Sequence, residues 1–349
     1  MRAVEADCST LTILLTFIKE IAMSPKQLKS LLLVAMANGK PVLIKGAPGV
    51  GKSDIVASVA KELKMKLIIS HPVVSDPTDY KGLPGIVDGK AEFLPFGDLR
   101  RLIEAKKPTI CFLDDLGQAP AVVQAACMQL LLARQINGHK ISDKIVFVAA
   151  TNRREDRAGV TGILEPVKSR FKTIIELEVN SDEWIEWAFE NNMPPELIGF
   201  IHFRPALLNS NEATADIVNH PCPRTIANAG EWMKLGIFDM ETIAGAIGEG
   251  AAVELLGFVR VYKSLPNITA IILDPKKVSV PEDPAALYAV VAALTDKAGE
   301  DNAGAIITYS NRLPADFSTL LIRDMIRKEP KIQNTTEFID WSVKHKDSF

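Results

Sequence analysis

No stretch of this sequence holds the roughly 18 consecutive apolar residues that a membrane-spanning helix needs. The longest candidate, Leu28 to Ala37, is broken by Lys29 and Ser30 and runs into Asn38-Gly39. Glu5 and Asp7 precede the apolar residues near the N-terminus, where a secretory leader would carry positive charge. A cytoplasmic protein without a membrane span is expected. Cysteine is scarce. Cys8, Cys111, Cys127 and Cys222 show no CxxC spacing, which argues against a disulfide framework or zinc site and for reduced, buried thiols. Five scattered histidines without an HExxH pair argue against a histidine-built metal centre. Charge of one sign is also lacking. Lys and Arg number 40 against 43 Asp and Glu, a net −3, which disfavours a strongly basic nucleic-acid coat and leaves a local basic patch open.

What is present is ordinary globular composition. With 47% apolar and 24% charged residues, collagen-like, coiled-coil and wholly disordered chains are excluded. At about 100–200 residues per domain, 349 residues indicate two domains or three small ones. No internal repeat is found.

Ser24-Pro25 caps an expected helix whose apolar residues Leu28, Leu31, Leu32, Ala35 and Met36 recur at helical spacing until Gly39. A strand over 41–45, a glycine-rich turn over 46–51 and a helix over 52–64 come next. Further strands are expected at 67–70, 109–113, 145–150 and 173–179, with helices at 98–105 and 121–136. Asp88-Gly89 reads as the turn of a hairpin within 82–95. Helices alternating with short apolar strands indicate an α/β parallel sheet covered on both faces. After about Asn180 strand signals fade and helical spacing takes over, notably at 181–191, much of 196–262, 284–297, 317–328 and 335–344. A Lys/Pro/Asp-rich connector lies at 274–284.

Three motifs carry chemistry. Gly46-Ala47-Pro48-Gly49-Val50-Gly51-Lys52-Ser53, followed by Asp54, matches the phosphate-binding P-loop G-x-x-x-x-G-K-[ST]. Its glycines let backbone N–H groups face phosphates at a helix N-terminus, Lys52 would reach the β- and γ-phosphates, and Ser53 would ligate Mg²⁺. A chance match arises in about one chain in 100 of this length. Ile110 to Leu113 is an apolar strand ending in Asp114-Asp115. P-loop enzymes place such a strand beside the P-loop strand, so Asp114 would hold the metal and Asp115 would orient or deprotonate the attacking water. Ile145 to Thr151 is followed by Asn152, which either forms a turn or, as the order of strands favours, sits near the γ-phosphate and helps to position water.

Together these motifs resemble the AAA+ ATPases, and specifically their MoxR-type branch, over about residues 24–260. The segment Asp114-Asp115-Leu116-Gly117-Gln118-Ala119-Pro120-Ala121-Val122-Val123-Gln124-Ala125-Ala126 is similar to that branch. Arg134-Gln135-Ile136, Ala150-Thr151-Asn152, Leu164 to Phe171 and Cys222-Pro223-Arg224-Thr225 continue the likeness. The resemblance implies an ATP- and Mg²⁺-dependent ATPase with Asn152 as sensor 1, Arg170 as an arginine finger acting on a neighbouring subunit's ATP, and Arg224 as sensor 2. It implies a nucleotide-binding domain over 1–180 with a helix-2 insert near 82–95 and a helical lid over 181–273; residues 274–349 lie beyond the likeness and are read from their helical spacing as a helical extension. In the insert, Ile86, Phe93, Leu94 and Phe96 would be apolar pore contacts. The resemblance further implies a ring, with six subunits the expected number, that remodels a partner protein such as one with a von Willebrand A-type domain.

One departure stands out. The branch carries Asp-Glu where this chain has Asp114-Asp115, one methylene shorter. Two other functions stay open. A nucleic-acid motor would need basic and aromatic pore residues, and the insert offers only Lys81 and Lys90 beside Asp88 and Glu92. An ATP-gated scaffold with slow or no hydrolysis would explain the shorter Asp115. Arg153, Arg154 and Arg157 form a small basic cluster, read first as a solvated loop, then as a subunit contact, and last as a DNA contact.

Overall fold

A computed structural model of the chain describes residues 22–156, 159–210 and 216–346. Glu5, Asp7, Cys8 and Arg157 lie outside the described residues. The chain divides into two compact units between Val179 and Asn180.

The first unit is built on one six-stranded sheet whose strands are all parallel. Its strands are β1 (Ala22–Met23), β2 (Val42–Gly46), β3 (Lys66–Ser70), β6 (Thr109–Leu113), β9 (Ile145–Thr151) and β10 (Thr173–Leu177), in the order β1-β10-β2-β9-β6-β3. Two antiparallel hairpins stand outside it: β4 (Leu83–Val87) with β5 (Lys90–Leu94), and β7 (Gln135–Ile136) with β8 (His139–Lys140). Parallel neighbours need crossovers, and helices Pro25–Ala37, Lys52–Glu62, Gly97–Ile103 and Ala121–Ala133 lie between successive strands. Successive residues of β2 face opposite ways. Val42 and Ile44 join a core with Leu28, Leu32 and Val59, and Leu43 joins a second core with Leu113, Leu130 and Phe147. Leu28 and Leu32, one turn apart and 0% exposed, contribute about 1.5–3 kcal/mol each by burial.

Two expectations need correction. β6 does not lie beside the P-loop strand β2, because β9 pairs with both and separates them. All seven residues of β9 are buried, in keeping with a strand inside a sheet that is covered on both faces. The helix beginning at Ala121 also stops early, at Ala133 rather than 136. Arg134 turns left-handed (φ 51°), and Asn137-Gly138 (φ 48° and 85°) closes β7 onto β8.

The second unit is helical. Its helices are Ser181–Glu190, Pro195–Phe203, Pro223–Lys234, Met240–Ile247, Glu249–Lys263, Ile268–Leu273, Pro284–Lys297, Ala303–Ser310, Ala315–Lys328 and Thr336–Lys344. Helix Pro284–Lys297 is buried nearly all round, from Leu287 through Thr295, as befits a central helix. It approaches helix Pro195–Phe203 so closely that a Cβ on Gly199 would lie 2.8 Å from the Ala292 Cβ.

Candidate functional site

The sheet register sets three loops side by side. Gly46 ends β2, Thr151 ends β9 opposite Lys45, and Leu113 ends β6 opposite Ala149. The loops that leave these three strands therefore meet at one edge of the sheet.

In the first loop, Ala47 and Val50 turn their side chains into the core, so the outward surface of the loop is backbone. Gly51 caps helix Lys52–Glu62 at φ 93°, a left-handed conformation, and a Cβ there would meet nothing within 4 Å. The N–H groups that open this helix have no partner inside it and form a site for an anion. Lys52 is 7% exposed and donates from Nζ to Gly46 O (2.9 Å), Ala47 O (2.9 Å) and Asn152 Oδ1 (2.7 Å). Ser53 donates from Oγ to Asp114 Oδ2 at 2.8 Å. Asp54 is exposed in the first helical turn, where a negative charge suits the helix dipole.

In the second loop, Asp114 Oδ1 accepts from the Asp115 N–H at 3.1 Å, which fixes its other oxygen toward Ser53. Asp115 sits in the left-handed region (φ 56°, ψ 34°) and opens a single turn of 3-10 helix, Leu116–Gln118. Its Oδ1 accepts from Gln118 Nε2 (2.7 Å) and from Asn152 Nδ2 (3.3 Å). Gly117 lets this turn press on β9, since a Cβ there would come within 2.1 Å of Thr151 Oγ1. Lys52, Asn152, Asp115 and Gln118 thus form one hydrogen-bonded chain. The two amide orientations are set by charge: ammonium faces carbonyl oxygen, and each NH₂ faces the carboxylate.

Among the described residues no cluster of three His, Cys, Asp or Glu groups is placed to hold a metal. The donor set suits Mg²⁺ nonetheless. Ser53 and Asp114 supply two hard oxygens, and Mg²⁺ takes its remaining ligands from phosphates and water. The backbone-lined turn and Lys52 suit a polyphosphate. ATP and Mg²⁺ therefore fit the residues present.

The remaining candidates are not members of this chain of bonds. Arg170 comes just after the short helix Glu165–Lys168, and its buried Nε finds no partner among the described residues. Arg224 belongs to the second unit, exposed in the first turn of helix Pro223–Lys234. Neither arginine makes an ion pair among the described residues. Arg153 is fully engaged instead. It holds Asp156 through Nε (3.0 Å) and a second nitrogen (2.8 Å) and nears Glu155 and Glu176. The hydrogen bond to Asp156 holds its guanidinium above the ordinary value, against the pull of burial. Behind the acidic loop, burial pushes the Cys111 thiol upward and that of Cys127 to about 12, so both are inert, reduced side chains. In hairpin β4–β5, Ile86, Phe93 and Leu94 are exposed, and Phe96, just beyond it, is half-buried. The second hairpin braces it, with the His139 ring 2.6 Å from Phe93 O and Asn137 Nδ2 donating to Lys81 O.

Residues 42–179 match the ATPase family associated with various cellular activities (AAA). This stretch is an AAA ATPase domain. The domain is an enzyme that takes ATP and Mg²⁺, on the P-loop NTPase fold described above. A curated relative, the peroxisomal Lon protease homolog 2 of Oryza sativa subsp. indica, is 24% identical over 256 residues, 69% of this chain. The match spans only 27% of that relative's length. Among solved structures, the RuvB Holliday junction branch migration motor of Thermotoga maritima is 18% identical, covering 77% of this chain and 80% of its own at a TM-score of 0.42. NtrX of Brucella abortus in complex with ADP is 13% identical, covering 97% and 71% at a TM-score of 0.42. No described helix of the AAA-containing chain is long and apolar enough to cross a membrane.

Gln118 is the site residue that the motifs do not announce. Its signal is positional: it stands three residues after Asp115, and in a 3-10 turn residues three apart eclipse one another.

Proposed function

We propose that the chain is a MoxR-type AAA+ protein of the cytoplasm. It assembles into a ring, six-membered by resemblance, and uses ATP hydrolysis to remodel or activate a partner protein. The observation that carries this reading is the continuous bond chain from Lys52 through Asn152 to Asp115, with Ser53 and Asp114 paired beside it. These groups suit a phosphate, a metal and an attacking water.

In this reading the Gly46–Asp54 segment wraps the phosphates, and Lys52 exchanges a carbonyl partner for phosphate oxygen. Ser53 and Asp114 would hold Mg²⁺, which would supply positive charge against the transferred phosphoryl group. Asp115 accepts the proton of the attacking water, and Asn152 fixes that carboxylate relative to Lys52. Among the described residues, neither Arg170 nor Arg224 is paired with a carboxylate. Arg170 serves the ATP of the adjacent subunit. Arg224 serves its own, and its place in a helix's first turn opposes the helix dipole, so helix stability does not account for it. Residues 181–273 act as the lid, and 274–349 pack on it through Ala292 at Gly199 and Asp324 at His202. The exposed Ile86, Phe93 and Leu94 grip the partner, for which a protein with a von Willebrand A-type domain is the working choice.

The test is ATP turnover per protomer against protein concentration, for the wild type and for Arg170→Ala. The wild-type specific rate is expected to rise with concentration as sites are completed between subunits. Arg170→Ala is expected to bind nucleotide normally and lose about 10³–10⁵-fold in turnover. Normal turnover by that variant removes the assignment, and no wild-type turnover at any concentration supports the ATP-gated scaffold instead.

A further inference from the structure

Resting on the reading of Asp115 as the group that takes water's proton, we infer that Gln118 is a positioning residue for hydrolysis, aiming the Asp115 carboxylate through the bond from its Nε2 to Oδ1.

The geometry separates the two carboxylate oxygens. Oδ1 accepts from Gln118 at 2.7 Å and from Asn152 at 3.3 Å. Among the described residues nothing donates to Oδ2. Two donors on one oxygen hold the carboxylate plane and leave the other oxygen to receive the proton. In the step itself, the water O–H bond breaks toward Asp115 Oδ2 and the water oxygen forms its bond to the γ-phosphorus. The bond from γ-phosphorus to the bridging oxygen breaks, and ADP leaves with that electron pair.

The shorter arm of aspartate makes such a brace necessary. With one methylene fewer than glutamate, the carboxylate stays close to the backbone, and its aim is set by the left-handed turn at Asp115. Gln118 ends that same turn, so brace and base move as one piece. Gly117, pressed on Thr151, fixes the turn against β9 and thus against Asn152.

Packing alone does not explain a glutamine here. Its Oε1 is buried and has no partner among the described residues. A buried acceptor without a donor weakens the fold, and an apolar side chain of the same size would avoid that loss. Turning the amide over would bring Oε1 against Asp115 Oδ1, two acceptors face to face. The amide is therefore held by its bond to Asp115 at the expense of its other end.

The experiment compares Gln118→Met, which keeps the volume without a donor, Gln118→Glu, which keeps the shape and reverses the interaction, and Asp115→Asn. Thermal unfolding confirms that each folds. Both Gln118 variants are expected to lose about 10²-fold in kcat, the scale of an ångström of misplacement, with KM and the equilibrium Kd for ATP within about twofold of wild type. In nucleotide-free protein, the Gln118 side-chain amide protons are expected downfield in nitrogen-edited NMR, and Asp115→Asn is expected to move them back. Unchanged kcat in Gln118→Met alongside a large loss in Asp115→Asn overturns the role of Gln118 alone. Undiminished turnover in Asp115→Asn overturns the reading of Asp115 and the inference with it. A Gln118 amide signal insensitive to Asp115→Asn overturns the inference whatever the turnover.

Discussion

In the first unit the polar groups taken out of water gather at strand ends: Lys52 and Thr151 are buried, with half-buried Asp114, Asp115 and Asn152 beside them. In the second unit the buried charge joins helix to helix. Asp324 is 1% exposed and holds His202 at 2.5 Å and Arg327 at 3.3 Å. Arg327 reaches Glu186 and Arg323 reaches Asp182, so helices Ser181–Glu190, Pro195–Phe203 and Ala315–Lys328 are tied through one network. The difference has a physical origin. A parallel sheet satisfies its own backbone and packs on both faces, so its strand ends can carry charge and left-handed residues such as Asp115 without endangering the core. A helical unit has no such ladder between its elements, and its buried charges serve to fix how the helices meet.

The contrast breaks if the two groups of residues behave alike when removed. Within this contrast, Asp115→Asn gives the largest expected effect. Turnover should fall by about 10²–10⁴-fold, the usual contribution of a positioned general base, while the unfolding temperature stays near that of the wild type. A variant that loses activity only because it unfolds would erase the distinction. Asp324→Ala is the mirror case. Removing one partner of a buried ionic network costs about 3–5 kcal/mol, so denaturant unfolding of the full chain should shift strongly. Asp324→Asn keeps a hydrogen-bonding oxygen and should cost less. Equal and negligible losses from both would show that Asp324 is not what fixes those helices.

The same contrast governs what could be read from sequence. Lys52, Ser53, Asp114, Asp115 and Asn152 announce themselves because each comes soon after an apolar run, and a strand followed by such a residue is a local pattern. The placement of β9 between β2 and β6 is not local. It is a property of the assembled sheet, since β6 and β9 are both buried along their whole length and neither segment alone says which one borders β2. The helix expected to reach residue 136 ends sooner than its pattern suggests, because Gln135 and Ile136 keep helical spacing while the stop signal, Asn137-Gly138, comes after them. Gln118 is hidden for a related reason, since its bond exists only once the 3-10 turn is formed. In the second unit, apolar periodicity locates helix Pro284–Lys297 to the residue. It says nothing of the pairing of His202 with Asp324, which lie 122 positions apart.

Asp296 sharpens the comparison at its weak end, because it is an ionic tie in the helical unit that water still reaches. Burial alone would raise its carboxyl, but Lys328, at 2.9 Å from Oδ1, and Lys297, at 3.3 Å, together hold it below the ordinary 3.8. A carboxyl lowered by folding stabilises the folded chain above its unfolded value, and that contribution disappears as pH falls through the folded value. Asp296→Asn should therefore destabilise the protein modestly at neutral pH, by less than about 1 kcal/mol given the solvent screening of a half-exposed pair. The gap between variant and wild type should close as the pH drops below 3.8. Denaturant midpoints measured for both across that range decide the matter. A gap that persists in acid would mean that the Asp296 side chain acts by packing against Lys328 rather than by charge. The difference between buried and exposed ties in the helical unit would then be one of contact area alone.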